Sequence, residues 1–516
     1  MRPQRSVSRF VRSEAGTVAV LWAMGLVVFF GFIALIFDIG RAAVTQSELQ
    51  SFADHVALAA AGELNGESDA IERAERAVDN LIADTQSFGE GARALSGAVD
   101  ATAAFYTNVP ANDTSPLSPF WTDEPTIARY VEVTIAPRTV LTPFWEVLQT
   151  LLGDTTVVTD IDVAATAVAG SESLICDITP LFFCAPAGRD LTAPSEIGTM
   201  IKLRTGKSGA AWGPGNFGFL DPDASLDVDG VCAAEAAKGR APATNCLVGA
   251  EISRTSCVRK LGLDLSPGQQ VGITNAAFNY RFDIFKKSDK ERTDPPFPPA
   301  PNVVSGLSPD GDGCFKNNPT ASTETVPLPR ETCFAAGTCD RFGPEGGAWD
   351  SLKPGYLATN HPHLGASTDL PSVSSNDIGF PAGFELSSVA GTRFETYLQE
   401  IKYAKTSGQI LGDETSTFPE TGIAQCSSTP TADPFRRVVT AAIVDCSDPS
   451  VEINGNNKNV PATGFVQVFL TEPVGMDPLP GGNFDLWGEV IGSAGTGGGG
   501  AADAGGIARV VVRLVR

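Results

Sequence analysis

Residues 18–37 read VAVLWAMGLVVFFGFIALIF, twenty residues without a charge or a proline. At about 1.5 Å of rise per residue, a helix of this length crosses the roughly 30 Å hydrocarbon core of a bilayer. Thirteen of the residues are Val, Leu, Ile or Phe, and at about −0.3 to −0.6 kcal/mol each they favour insertion by roughly 4 to 8 kcal/mol. The run predicts a transmembrane helix over 16–39, with these residues as the membrane anchor: Val18, Leu21, Trp22, Leu26, Phe29, Phe30, Phe32, Ile33, Ile36 and Phe37.

The charges that flank the run predict its orientation. Four arginines precede it, and the acidic residues Asp38, Glu48 and Asp54 follow it. The positive-inside rule then makes residues 1–15 a cytoplasmic basic tail and places everything after Phe37 outside, as in a single-pass membrane protein. A cleaved signal peptide is the alternative, but signal cores span about 7–15 residues and end in an A-x-A-like site. The best small-residue candidate here, residues 41–43, lies within the continuing helical pattern.

Composition narrows the classes of partner. The chain has 516 residues and a formal net charge of −23. An acidic surface repels nucleic acid and anionic headgroups, so we expect no nucleic-acid partner. The length exceeds a single hydrophobic core and predicts two or three folded units outside the membrane.

All ten cysteines follow residue 170, on the side predicted to be exported. An even number of cysteines there favours structural disulfides. The sequence contains no C-x-x-C motif, which argues against a zinc ribbon and against a thioredoxin-like redox pair. The near neighbours Cys176/Cys184, Cys333/Cys339 and Cys426/Cys446 are the first expected pairs, with reduced, buried cysteines as the alternative. The disulfide candidates are Cys176, Cys184, Cys232, Cys246, Cys257, Cys314, Cys333, Cys339, Cys426 and Cys446.

Residues 40–170 predict a small α+β domain built on a continuation of the first helix. Apolar residues recur every three or four positions from Leu49 to Ala60, a break follows at 62–66, and a second amphipathic helix follows from about residue 70. Residues 130–135 alternate as in a half-buried strand, 142–152 indicate a short aromatic-rich helix or turn, and 155–168 indicate further strands. The fold class is therefore α+β, with a transmembrane helix that continues into a stem helix on a small sheet.

The remaining chain predicts a disulfide-containing, β-rich region on the exported side. Residues 171–430 are loop-rich and contain cysteines, and the proline cluster at 294–301 predicts a surface loop. An aromatic and glycine stretch at 212–221 favours a turn whose rings fill a core. Residues 431–516 form a C-terminal β region with strands at 436–444, 464–471, 484–491 and 508–515.

No catalytic constellation stands out. His361 and His363 lack a third ligand at metal-site spacing. Two acidic turns could hold an oxygen-preferring cation such as calcium, but neither has the twelve-residue loop that ends in glutamate, so ordinary Asx-turns are favoured. We expect no cofactor and no catalytic residues, and the weak metal candidates are Asp227, Asp229, Asp310 and Asp312.

Several segments resemble a known family. They are RSEAGTVAVLW (12–22), DIGR (38–41), SELQSFAD (47–54) and ALAAA (57–61), followed by VEVTI (131–135), the aromatic pair at 144–145 and DVAATA (162–167). Together they resemble the TadE/TadG-like proteins of the Tad apparatus, which assembles Flp (tight adherence) pili. The resemblance is good over 12–170, fair over 430–516 and vague between.

The resemblance implies a non-catalytic, membrane-anchored component of pilus assembly. Its partners would be the inner membrane and other Tad pilus-assembly proteins or pilin-like subunits. The alternatives are a pseudopilin or surface adhesin released into a fibre, and a membrane-tethered periplasmic enzyme. Processed relatives carry a glycine before the cleavage point and a glutamate five residues on; Gly16 fits as a processing site, whereas Leu21 stands in place of the glutamate. The D-x-S-x-S motif of a von Willebrand A-type site is only approached, at 223–227, where the second serine is lacking.

Overall fold

The computed structural model forms two compact units, residues 1–172 with 510–516 and residues 173–509. The structure describes residues 15–516 except 81–82, 111, 113–114, 152–158, 177, 207–210, 222–229, 252–256, 260–261, 267–275, 286–289, 295, 311–313, 316–319, 368, 381–383, 413–418, 449–450, 452, 454–459, 476–483 and 495–506.

Residues 276–279 are helical, and nine further α-helices are described with both ends. They are α1 (Ala15–Gly62), α2 (Ala70–Asn80), α3 (Gly97–Asp100), α4 (Pro143–Leu151), α5 (Ala233–Ala236), α6 (Arg240–Gly249), α7 (Thr332–Ala336), α8 (Trp349–Asn360) and α9 (Arg393–Ser407).

Sixteen strands are described. They are β1 (Ala83–Thr85), β2 (Ala94–Ser96), β3 (Ala101–Tyr106), β4 (Tyr130–Leu141), β5 (Asp160–Cys176), β6 (Leu181–Cys184), β7 (Met200–Thr205), β8 (Asn216–Leu220), β9 (Cys257–Arg259), β10 (Leu265–Ser266), β11 (Leu307–Ser308), β12 (Thr320–Ala321), β13 (Val438–Val444), β14 (Gly464–Leu470), β15 (Asp485–Ser493) and β16 (Ile507–Leu514).

The first unit is a long helix on an antiparallel sheet. The sheet runs β16-β5-β4-β3, with β3 and β5 antiparallel to β4. Val131, Val133 and Ile135 alternate along β4 and are fully buried, as are Leu49 and Phe52 of α1. They share one core. The period-2 pattern of β4 and the helical period of α1 therefore bury matching faces, as the sequence predicted.

The second unit centres on a closed β-barrel. Neighbouring strands follow the order β8-β6-β13-β14-β15-β7, and β7 pairs in parallel with β8 to close the sheet. β10 adds to β8. The barrel combines strands from residues 171–430 and 431–516, the two stretches that the sequence suggested as separate regions.

The barrel strands β13 and β14 are buried on both faces. Every residue of β14 is buried, as expected for near-continuous apolar runs such as GFVQVFL. Outside the barrel, α9 covers β14, because the rings of Phe394 and Tyr397 lie 5.0 and 4.9 Å from the ring of Phe469. Glu489 of β15 accepts hydrogen bonds from the backbone N–H groups of Arg393 and Phe394, which fixes the start of α9.

Two predictions about the middle region have different outcomes. Phe217 and Phe219 of the aromatic stretch are buried, and Trp212 stacks on Phe182 at 5.4 Å, so their rings do fill a core. The proline cluster is not a surface loop, which corrects the prediction: residues 297–300 are buried. The Arg436 guanidinium donates to the Pro298 carbonyl at 2.6 Å. A buried cation that needs carbonyl acceptors keeps this segment inside.

Four disulfides are described, all of them in the second unit. They are Cys184–Cys446, Cys232–Cys246, Cys314–Cys426 and Cys333–Cys339. Only the last was among the first expected pairs. The expected pairs Cys176/Cys184 and Cys426/Cys446 are wrong, because β6 and β13 run side by side and bring Cys184 to Cys446. Cys176 and Cys257 are backbone register partners on β5 and β9, and their side chains lie outside the described residues.

Candidate functional site at the membrane-proximal stem

The first half of α1 presents a largely exposed apolar surface. From Leu21 to Phe37 the predicted anchor side chains are between 46% and 69% exposed. In the described part of the chain, α1 is the one helix long and apolar enough to cross a membrane, with a mean hydropathy of 2.7 in its best window. Val18 and Gly16 lie in the same helix, and their surroundings are outside the described residues. One apolar helix is thus available as a membrane anchor.

The second half of the same helix belongs to the folded unit. Phe52, Val56 and Ala60 are fully buried. Two glutamines of α1 donate to carbonyls of β5: Gln46 to Ala164 at 2.8 Å and Gln50 to Thr166 at 3.1 Å. A single rigid element therefore links the apolar anchor to the sheet.

Asp38 lies where the apolar run ends, and it is 1% exposed. Its Oδ2 accepts hydrogen bonds from the backbone N–H groups of Phe144, at 2.9 Å, and Trp145, at 2.7 Å. These are the first N–H groups of α4, which have no acceptor within a helix of their own. Asp38 therefore fixes α4 against α1, although Asp38 and Phe144 are 106 positions apart in sequence.

Further contacts hold the part of α1 that follows Asp38. Glu48 accepts hydrogen bonds from both the backbone N–H and the hydroxyl of Ser87. The Arg41 guanidinium lies 5.5 Å from the centre of the Phe88 ring, which is cation–π distance. On the sheet, the Tyr106 hydroxyl donates to Glu132 at 2.7 Å. Burial, reinforced by the Glu132 carboxylate, raises the pKa of Tyr106 to about 12.

The two candidate histidines lie in the second unit and join α8 to α9. His361 Nε2 and the Tyr356 hydroxyl both bind Glu400 Oε1, at 2.9 and 2.7 Å. Burial, reinforced by Glu400, raises the pKa of Tyr356 well above its ordinary value. His363 instead pairs with the Tyr403 hydroxyl at 2.8 Å. The side chains of His361 and Glu400 are 0% and 1% exposed, so their contact packs α8 against α9.

The acidic turns remain a weak prediction. Asp227, Asp229 and Asp312 lie outside the described residues, and the backbone N–H of Asp310 donates to the Cys314 carbonyl. Among the residues that are described, no group of three or more His, Cys, Asp or Glu could hold a metal ion.

Sequence reasoning missed the contacts that shape the stem. The sequence patterns treat Asp38 as a flanking charge and as part of the DIGR motif, and they predict no contact for Asp38, Gln46 or Gln50. A carboxylate directly after an apolar run, followed by an aromatic helix start at 143–145, is the signal that could have indicated the cap.

One comparison with known proteins bears on this helix. The family model described as Tad, putative Flp pilus-assembly TadE/G-like, matches residues 16–63. No curated protein and no solved structure matches the chain. The match covers α1 from its first turn to the residue after its end. It supports involvement in Flp/Tad pilus assembly and a membrane-associated role beside other pilus components. Residues 16–63 match the TadE/G-like family model, and over this stretch the family resemblance drawn from the sequence is confirmed.

Proposed function

We propose that this protein is a non-catalytic component of Tad pilus assembly, held in the inner membrane by α1, with its basic tail in the cytoplasm and both folded units in the periplasm. It acts there as a scaffold or accessory subunit. The observation that carries the proposal is the division of one helix, matched by the Tad family model, into an exposed apolar half and a half buried in an α+β unit.

The mechanism is mechanical. An anchor that continues without interruption into the folded unit holds that unit at a fixed distance from the bilayer. Gln46, Gln50 and Glu48 tie the helix to the sheet and to Ser87. Forces on the periplasmic body therefore reach the membrane through a helix and not through a flexible linker.

The experiment is a piliation assay with anchor variants. Replacing Phe29 and Phe32 together by arginine costs about 2.5 to 3.5 kcal/mol per charge at the bilayer centre. This offsets most of the insertion energy, so the variant should lose Flp-type pili and surface attachment as a deletion does. The matched control, Phe29→Leu with Phe32→Leu, keeps the helix apolar and should remain piliated. Normal piliation of the deletion strain would refute the assembly role.

A tethered enzyme is the competing class, and His363 distinguishes the two. His361 is buried against Glu400, so its replacement would disturb folding. His363 is exposed, and His363→Ala should leave piliation unchanged. Loss of pili in this variant at normal protein level would favour a catalytic or metal-binding role for the second unit.

A released fibre subunit is the second candidate, favoured by one observation. The helix includes Gly16 and runs unbroken into the folded unit, as the stem of a pilin-like subunit requires. N-terminal sequencing of the membrane-bound protein separates the two: an end at Thr17 indicates processing, and an intact basic tail indicates a retained anchor.

A further inference from the structure

Helix α4 lies beside the apolar anchor and not above it. A Cβ placed on Gly31 would lie 3.9 Å from Leu148 Cδ1, and the rings of Phe37 and Phe144 meet edge to face at 5.5 Å. Gly31 precedes Asp38 by seven residues, about 10 Å along a helix axis. Because Leu148 contacts the earlier residue and Phe144 the later one, α4 runs back along the anchor from Asp38.

The outer face of α4 is apolar and exposed. Phe144 is 45% exposed and Val147 is 57% exposed. At about 100° per residue, Leu148 lies on the same side as Phe144, whereas Glu146 and Thr150 lie on the opposite side. On α1, Gly31, Ala34 and Leu35 are half-buried on the covered side. The next apolar side chains around the anchor, Ile33, Ile36 and Phe37, are exposed. The apolar face of α4 is therefore continuous with that of the anchor.

Two more apolar side chains are exposed at the same end of the sheet, one on each of its faces. Leu141 ends β4 directly before α4, and Ile161 near the start of β5 pairs with Val140. Both are 41% exposed. We call Leu141, Phe144, Val147 and Ile161 the apolar collar.

We propose that α4 is inserted into the outer leaflet of the bilayer that holds α1, with the apolar collar in contact with phospholipid acyl chains. The proposal rests on the proposed function, since it takes α1 as the membrane anchor. Lipid is the expected partner of the apolar collar because lipid must surround the anchor, and the apolar face of α4 is continuous with the anchor. The Asp38 cap fits this location, since a helix start next to hydrocarbon cannot leave its N–H groups to water. Leu148 beside Gly31 lies about 10 Å deeper along the anchor than Asp38, a depth that falls within one leaflet of the roughly 30 Å hydrocarbon core.

Depth-dependent quenching in nanodiscs tests the proposal on the full chain. Val147→Cys is labelled with an NBD fluorophore without reductant, and its emission is compared in bilayers with and without bromine on the acyl chains. Val99→Cys is the matched control, because Val99 is 80% exposed on α3 of the same unit. Leu26→Cys reports the anchor itself, and the unmodified protein carried through labelling gives the background.

The expected result is a loss of emission at position 147 several-fold larger than at position 99 and close to that at position 26. Quenching at 26 without quenching at 147 overturns the α4 proposal and leaves the anchor intact. An unquenched label at 26 overturns the anchor, and the α4 proposal with it. A label at 147 shielded from both brominated lipid and aqueous iodide means that protein covers α4, which also overturns the proposal.

Discussion

At the scale of single residues, Asp38 joins two parts of the chain that sequence separates. Its carboxylate is buried, one oxygen binds two backbone N–H groups of α4, and the other has no hydrogen-bond partner among the described atoms. Without this acceptor the N–H groups of Phe144 and Trp145 would lose their partner, and an unpaired buried N–H group costs roughly 1–3 kcal/mol of stability. The Asp38 carboxylate therefore contributes more to stability than a charge on the surface would. The position of α4 therefore depends on one side chain of α1.

This dependence predicts different effects for two substitutions. Asp38→Ala removes the acceptor and should destabilise α4 by about 1 kcal/mol, the usual cost of a lost N-cap. Asp38→Asn keeps an acceptor oxygen and places an amide at the unpartnered atom, so it should stay near the wild type. Hydrogen exchange of the α4 amides in nanodiscs measures both. Equal, unchanged protection in the two variants would show that the cap does not hold the helix.

At the scale of elements, α1 also protects an edge of the sheet. The backbone of Val168 pairs with Arg516 on the side of β5 away from β4. Carbonyls two and four residues earlier, of Thr166 and Ala164, face the same way and accept from Gln50 and Gln46. An exposed strand edge can pair with a strand of another chain. The side-chain amides of Gln46 and Gln50 occupy these carbonyls and therefore block strand addition on this part of β5.

Replacing both glutamines by alanine should therefore promote self-association. Each lost hydrogen bond contributes about 0.5–1.5 kcal/mol, so the melting temperature of the first unit should also fall. Ser51→Ala with His55→Ala, two exposed positions of the same helix, is the control and should behave like the wild type. Light scattering of the protein in nanodiscs reports association; a monodisperse glutamine variant would contradict edge protection.

The sequence predicted elements better than it predicted their contacts. The apolar run, the helical period to residue 62 and the four C-terminal strands follow from local patterns, and α1, β13, β14, β15 and β16 lie close to the predicted ranges. The parallel closure of β7 on β8, the Asp38 cap and the burial of the proline cluster join distant residues. Local periodicity carries no information on such pairings, and charge alone did not reveal which partner each polar group would find.

At the scale of the whole molecule, disulfides close loops of very different length in the second unit. Cys184–Cys446 spans 262 residues and ties β6 to the end of β13, whereas Cys333–Cys339 spans six. In the chain-entropy account, a cross-link stabilises the fold by restricting the unfolded chain, and its effect grows with the logarithm of the loop length. The barrel therefore depends on its longest bridge much more than on its shortest.

Replacing Cys184 and Cys446 by serine should consequently destabilise the second unit by about 3 kcal/mol more than replacing Cys333 and Cys339. The two double variants form a matched pair, since each removes one bridge and leaves no unpaired partner. Thiol counting on denatured, unreduced protein first establishes that the remaining bridges have formed, and denaturant unfolding then gives the difference. Equal destabilisation would mean that native packing around each bridge, and not loop closure, determines its contribution. In that case the buried strand pair β6–β13 would hold the barrel without covalent help.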